Sequence, residues 1–252
     1  MTQGSALIVG GGTGIGLAAA HRFVARGMPV GLSGRRADVL AAAREEVLQR
    51  HPGAIVEVAA ADGAAESQAH EMVRYLAERL GPPSVLVASA GIYEGCDFLD
   101  LTEQAWRHTM TTTLDSTVFP AVAAARLMAE RGGGRIVLLA STNSFVSEPG
   151  STAYSAAKAA ASSLARSLAV DLAKSGIQAN AVAPGWIHTG MVDDFVQNAT
   201  PETLANINPL GRVGLPDEVA NLIEYLALDA PDYLTGATVL IDGGQTAAAP
   251  LI

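Results

Sequence analysis

Short apolar runs alternate with helical patterns some six times along this chain, and that alternation restricts the fold more than any other feature. Runs 6–9, 30–33, 54–58, 85–88, 135–140, 177–183 and 238–241 read as strands. The stretch from Gly16 to about Arg26 and stretches 38–50, 66–80, 106–131, 152–174 and 217–228 read as helices, with Pro120 breaking the fourth early and the glycines at 132–134 ending it. Strands separated by helices must pair in parallel through right-handed crossovers. The expectation is an α/β fold: a doubly wound, three-layer parallel sheet of about seven strands with helices on both faces. At 49% hydrophobic and 16% charged, the chain has the apolar material such a sheet needs. No linker-like stretch divides it, so residues 1–252 are expected to form one domain.

The first strand runs straight into Gly10-Gly-Gly-Thr13-Gly14-Ile15-Gly16 and then a helix. Strand, glycine turn and helix form the context for a dinucleotide site. The glycines admit a pyrophosphate, and the free amides at the helix start donate to it. After the second strand comes Ser33-Gly34-Arg35-Arg36, with no acid to hold ribose hydroxyls and two arginines suited to a 2′-phosphate. This pattern favours NADP(H) and leaves NAD(H) possible, since turn arginines are commonly just solvated. Asp62 follows the third strand, placed to accept a hydrogen bond from adenine or to cap the next helix. Ser89-Ala90-Gly91 after the fourth strand leave space beside a ligand.

Tyr154 and Lys158 are four apart in an Ala-rich helical run, so they share a face. A free phenol titrates at about 10, and a nearby ammonium lowers that value, moving Tyr154 towards general acid/base use. Ser141, thirteen residues earlier at the end of the fifth strand, would hydrogen-bond the substrate oxygen. Tyr-x-x-x-Lys alone is a common helix-surface pair; its position at the ligand-binding edge of an open parallel sheet gives it weight. The segment 189–215 is irregular and reads as a flap over a pocket. Tyr93, Phe145, Val146, Trp186, Met191 and Phe195 would line the substrate cavity or belong to the core.

Several function classes fall away. A net charge of −9 argues against nucleic acid or anionic membrane as partner. The longest unbroken apolar run, 118–125, is too short for a bilayer, which takes about 20 residues. The apolar start reads as a strand rather than a signal peptide, and a single cysteine, Cys96, fits a reducing cytoplasm. His21, His51, His70, His108 and His188 show no metal-ligand spacing, so no metal is expected; His188 alone is a candidate to face the pocket. Ser141 has no G-x-S-x-G elbow, which disfavours a hydrolase nucleophile.

With Gly10-x-x-x-Gly14-Ile15-Gly16, Ser141, Tyr154-x-x-x-Lys158, Pro184-Gly185 and Asp242-Gly-Gly244 in order, the chain resembles the short-chain dehydrogenase/reductase family, over essentially all 252 residues. The resemblance implies a Rossmann-type fold and hydride exchange between NADP(H) and a carbonyl or secondary alcohol. It implies that Tyr154 transfers the proton, Ser141 orients the substrate oxygen, and Lys158 binds the nicotinamide ribose and lowers the Tyr154 pKa. Ile187 and Thr189 would hold the carboxamide, Asp62 and Gly63 would flank adenine, and Ala90 and Gly91 would pass beside the adenosine ribose. Family members are commonly tetramers, so a homo-oligomer, tetramer or dimer, is expected, with the outer face of helix 152–174 as a candidate contact.

Three positions depart from the family pattern. Val9 replaces Thr, and Ala88-Ser89-Ala90-Gly91 replaces Asn-Asn-Ala-Gly, removing the Asn amide that ties strand four to its neighbours. Thr113 stands where the family has the Asn behind Lys158 that holds a water for proton relay. A Thr hydroxyl has fewer donors and shorter reach. A second expectation is therefore a cofactor-binding module with weak catalysis.

Overall fold

In the computed structural model, which describes residues 4–248, seven strands form one all-parallel sheet: β1 (Ser5–Val9), β2 (Val30–Gly34), β3 (Val56–Ala60), β4 (Pro83–Ala88), β5 (Gly134–Leu139), β6 (Ile177–Pro184) and β7 (Thr238–Ile241). Their order is β3-β2-β1-β4-β5-β6-β7. The helices are α1 (Gly14–Ala25), α2 (Ala37–Arg50), α3 (Glu66–Leu80), α4 (Glu103–Met110), α5 (Ser116–Arg131), α6 (Thr152–Leu172), α7 (Asp193–Asn198), α8 (Pro201–Asn206) and α9 (Pro216–Glu224). Among the described residues, no helix is long and apolar enough to cross a membrane.

Side chains on a strand alternate between faces, and the sheet uses both. Ala6 and Ile8 of β1, with Val85 and Val87 of β4, enter one core with Phe23 of α1 and Val47 of α2. Leu7 and Val9, with Leu86 and Ala88, enter the other with Val73 of α3 and Met128 of α5. Full burial of a side chain such as Phe23 contributes roughly 1.5–3 kcal/mol. On the second face Ala165 of α6 meets Ala179, Ala181 and Ala183 of β6 in one core. Small residues on both sides let this helix lie close to the sheet, which brings Tyr154 and Lys158 to its edge.

β1 has β2 on one side and β4 on the other, so the chain leaves the sheet in opposite directions there. Such a reversal opens a crevice beyond the carboxyl ends of the strands.

Four local expectations are corrected. β3 starts at Val56, two residues later than read. The helix read as 106–131 begins at Glu103, because the Thr102 hydroxyl accepts from Ala105 N at 3.2 Å and caps it. Its break falls not at Pro120 but in a wide π-type turn, Thr111–Asp115; Pro120 lies inside α5. The segment 189–215 is not all irregular, since α7 and α8 lie within it.

Candidate active site

The glycine turn bends around the end of β1. Gly10 has φ 77, and a Cβ there would stand 2.7 Å from Ala90 N. A Cβ on Gly16 would run into the carbonyl oxygen of Gly10. Thr13 occupies the N-cap of α1 yet makes no side-chain capping bond, so it does not satisfy the amides of the first helical turn. This bare cradle of backbone donors at a helix start fits a pyrophosphate. Gly16→Ala is expected to weaken dinucleotide binding and to lower stability by about 1–3 kcal/mol, read as a lower thermal midpoint. An unchanged midpoint would mean that the turn gives way freely.

The loss of the Asn tie at β4 is made good. Ser89 donates from its backbone N to the Val9 carbonyl at 2.9 Å and from its hydroxyl to the same oxygen at 2.8 Å. The serine replaces the expected amide with a shorter clamp, holding the ends of β1 and β4 together beneath the turn.

One cavity of 1190 Å³ runs from this turn across the sheet edge. Its wall includes Gly10, Thr13, Gly14, Ile15, Gly16, Ser33, Gly34, Arg35, Asp62, Gly63, Ala90, Gly91, Tyr93, Ser141, Tyr154, Lys158, Pro184, Gly185, Ile187, Thr189 and Met191, all candidates read from the sequence. Arg36, Ser89 and Ser116 add to it. Arg35 and Arg36 are exposed on its rim, and neither is bonded to another described side chain. Asp62 accepts from Ala64 N at 3.0 Å, a turn bond that precedes the true N-cap of α3, Ala65.

Phe145 and Trp186 stand outside the wall. Phe145 is exposed just past the turn that follows β5, and Trp186 stacks on Phe195 with ring centroids 4.4 Å apart. His188 also lies outside; it approaches Asp193 at 3.6 Å beside a smaller neighbouring pocket.

At the carboxyl end of β5 the chemistry-bearing groups converge. Lys158 is buried, and its Nζ donates to the Leu139 carbonyl at 2.7 Å. Burial pushes its pKa down to about 8. Nζ lies 5.6 Å from the centroid of the Tyr154 ring. That ring meets Tyr93 edge to face, with centroids 5.3 Å apart and planes at 89°. The expected lowering of the phenol's pKa by the lysine does not prevail; the net direction is upward. Burial pushes Tyr154 up to about 12; the hydrogen bond with Ser141 pulls it down, and the charge of Glu148 adds to the rise.

Thr113 sits buried within the π-type turn, beside Gly91 rather than in the cavity wall. Its Oγ1 lies 3.4 Å from both the Ile92 nitrogen and the Ile92 carbonyl oxygen. The hydroxyl thus ties the turn to the chain after β4.

Residues 189–215 leave the sheet edge and return to it. The chain just before this segment meets its far end in a parallel bridge, Ile187 to Gly214, in which Gly214 N donates to the Trp186 carbonyl at 2.8 Å and His188 N to the Gly214 carbonyl at 2.9 Å. Met191 and Val192 reach the cavity from this excursion.

The family model described as "Enoyl-(Acyl carrier protein) reductase" matches residues 10–246. A 3alpha-hydroxysteroid dehydrogenase from Mediterraneibacter gnavus is 32% identical over 238 residues, 94% of this chain and 95% of its own. The NADP-dependent (R)-specific alcohol dehydrogenase of Lentilactobacillus kefiri is 33% identical over 245 residues, 96% of each chain. Among solved structures, a gluconate 5-dehydrogenase from Burkholderia cenocepacia J2315 in complex with NADP and tartrate superposes with a TM-score of 0.91 at 31% identity, covering 99% of this chain and 97% of its own. The chain belongs to the short-chain dehydrogenase/reductase family. It is an NAD(P)-dependent oxidoreductase of the alcohol and carbonyl type that such relatives represent.

Proposed function

We propose that this protein interconverts a carbonyl compound and its secondary alcohol with NADP(H), using Tyr154 as the general acid and base. The observation that carries the reading is that Tyr154, Ser141 and Lys158 open into the same cavity as the glycine turn. The nicotinamide coenzyme, when bound, supplies a hydride to the carbonyl carbon or takes one from the alcohol. Tyr154 gives its proton to the carbonyl oxygen, or receives one from the hydroxyl, and Ser141 hydrogen-bonds that oxygen. Lys158 holds the nicotinamide ribose, and Pro184, Gly185, Ile187 and Thr189 receive the carboxamide end. The turn from Gly10 to Gly16 holds the pyrophosphate. Asp62 and Gly63 flank adenine, with Ala90 and Gly91 beside its ribose. Tyr93 and Met191 border the substrate, and residues 189–215 cover it. The whole chain acts as one domain in the cytoplasm. It assembles as a dimer or tetramer through α6, where Val170 is 77% exposed.

The uncommitted guanidinium groups of Arg35 and Arg36 on the cavity rim support NADP(H) over NAD(H). A charge-assisted bond to a 2′-phosphate contributes roughly 1.5–3 kcal/mol, so Arg35→Ala should raise the KM for NADPH about ten- to a hundredfold. NADH kinetics should not change. Equal losses with both coenzymes would sink the 2′-phosphate contact. The reductase itself is tested by loss of NADPH absorbance over a panel of ketones, aldehydes and β-ketoesters. Tight NADPH binding with turnover of none of them would favour the second reading, a coenzyme-binding protein whose Thr113 supports little proton relay.

A further inference from the structure

The substrate end of the cavity carries a pattern of charge that the proposed reaction does not use. Around Ser141 and Tyr154 the wall is formed by Tyr93, Glu94, Met191 and Val192, and of these Glu94 alone bears a charge. A second carboxylate acts on the same place. Glu148 is half-buried in the turn before α6, and Ser151 fixes its backbone: Glu148 N donates to Ser151 Oγ at 3.1 Å, and Ser151 Oγ donates to the Glu148 carbonyl at 2.6 Å. Cys96 N donates to the Gly150 carbonyl at 3.0 Å, which joins this turn to the loop carrying Tyr93 and Glu94. The Glu148 side chain meets a neutral amide rather than a cation, with Gln245 Nε2 3.5 Å from its Oε1. For Tyr93, as for Tyr154, burial is the main cause of a raised pKa and the charge of Glu148 adds to it. The field of Glu148 therefore reaches both phenols that border the substrate.

The cations of the cavity are placed otherwise. Arg35 and Arg36 follow β2, with β1 and β4 between them and Ser141 at the end of β5. Three strand spacings put them about 14 Å away, beyond the screening length of physiological salt. Lys158 Nζ is turned to the Leu139 carbonyl.

We propose that Glu148 is a specificity-determining residue whose carboxylate, reinforced by Glu94, excludes ketones bearing a negative charge near the carbonyl and admits neutral and cationic ones. The substrate class is thus a ketone or secondary alcohol free of carboxylate and phosphate groups. The inference rests on the reading that Ser141 and Tyr154 receive the substrate oxygen. Glu148 lies outside the cavity wall and acts through space. Like charges about 7 Å apart, at an effective dielectric between those of protein and water, lower affinity about tenfold.

Levulinate and methyl levulinate share a methyl ketone and differ by one charge; dimethylaminobutanone carries the opposite charge. Their kcat/KM values with NADPH at pH 7 are compared in the wild type, Glu148→Gln and Glu148→Asp. In Glu148→Gln, levulinate should gain about tenfold on the ester and the aminoketone should lose severalfold on it, with both shifts shrinking at high salt. Glu148→Asp keeps the charge and should keep the wild-type ratios, which separates charge from packing. Glu94→Gln should act in the same direction but less, because its side chain is 56% exposed and His108 approaches it at 3.6 Å. Without any substrate, the Tyr93 phenolate titration, taken against a Tyr93→Phe form of each protein, should move down in Glu148→Gln. Unchanged ratios in Glu148→Gln, or equal shifts in Glu148→Asp, would overturn the proposal. Turnover of none of the three counts against the reductase, and their binding to the NADPH complex, followed by coenzyme fluorescence, then replaces kcat/KM with the same ratios expected. Binding ratios that do not move, or no binding by any of them, would overturn the charge filter as well.

Discussion

If the proposed function holds, Tyr154→Phe is expected to bind the nicotinamide coenzyme as the wild type does and to lose about 10²–10⁴-fold in kcat, the range for removal of one general acid. The substitution keeps the ring, and with it the edge-to-face packing on Tyr93, and deletes only the oxygen at the sheet edge. Stability should therefore hardly move, which separates a chemical loss from unfolding. The pH profile carries a second consequence. Burial keeps the phenol protonated until about pH 12, so Tyr154 contributes no limb to carbonyl reduction near neutrality. Lys158, pushed down to about 8, does titrate there. The rate of reduction should stay level below pH 8 and change above it as the ammonium is lost. A limb that persists in a Lys158 variant would reassign it. Undiminished turnover in Tyr154→Phe would end the acid/base reading altogether.

Much of this architecture is legible in the sequence because its signals are local. The bounds of α3 and β7 emerge as read, since an amphipathic pattern and a flanked apolar run mark them without help from the rest of the chain. The glycine turn, Ser141 and the Tyr154–Lys158 pair are likewise local patterns, and the cavity gathers them. Features that depend on what packs against what were out of reach. The π-type turn at 111–115 has no marker beyond a proline that sits well past it. Trp186 looks like a pocket residue from composition alone and instead stacks on Phe195. The Tyr154 pKa is raised chiefly by burial, which the charged neighbour visible in the sequence does not disclose.

Lys158→Met is expected to be more stable than the wild type at neutral pH while losing turnover. In the open chain the ammonium titrates near 10.5, but in the fold burial pushes it to about 8. Between those values the unfolded chain binds more protons than the folded one, so stability rises with pH through that window and levels off beyond it. Below pH 8 both states are charged, and the fold bears the full penalty of burying the ammonium, on the order of 3 kcal/mol for a displacement of this size. Methionine is of similar length and carries no charge. It leaves the Leu139 carbonyl without the 2.7 Å bond from Nζ, a loss of about 1 kcal/mol. The balance is a gain of about 1–2 kcal/mol at pH 7, or several degrees in thermal midpoint for a chain of this size. Denaturant midpoints at pH 7 and 9.5 check the sign: the wild type should gain on the variant as pH rises, since deprotonation removes the same penalty. A variant less stable at both values would mean that the bond to Leu139 outweighs the burial of the charge. Otherwise a buried ammonium is retained against the stability of the fold, which is what chemistry at the neighbouring Tyr154 would require.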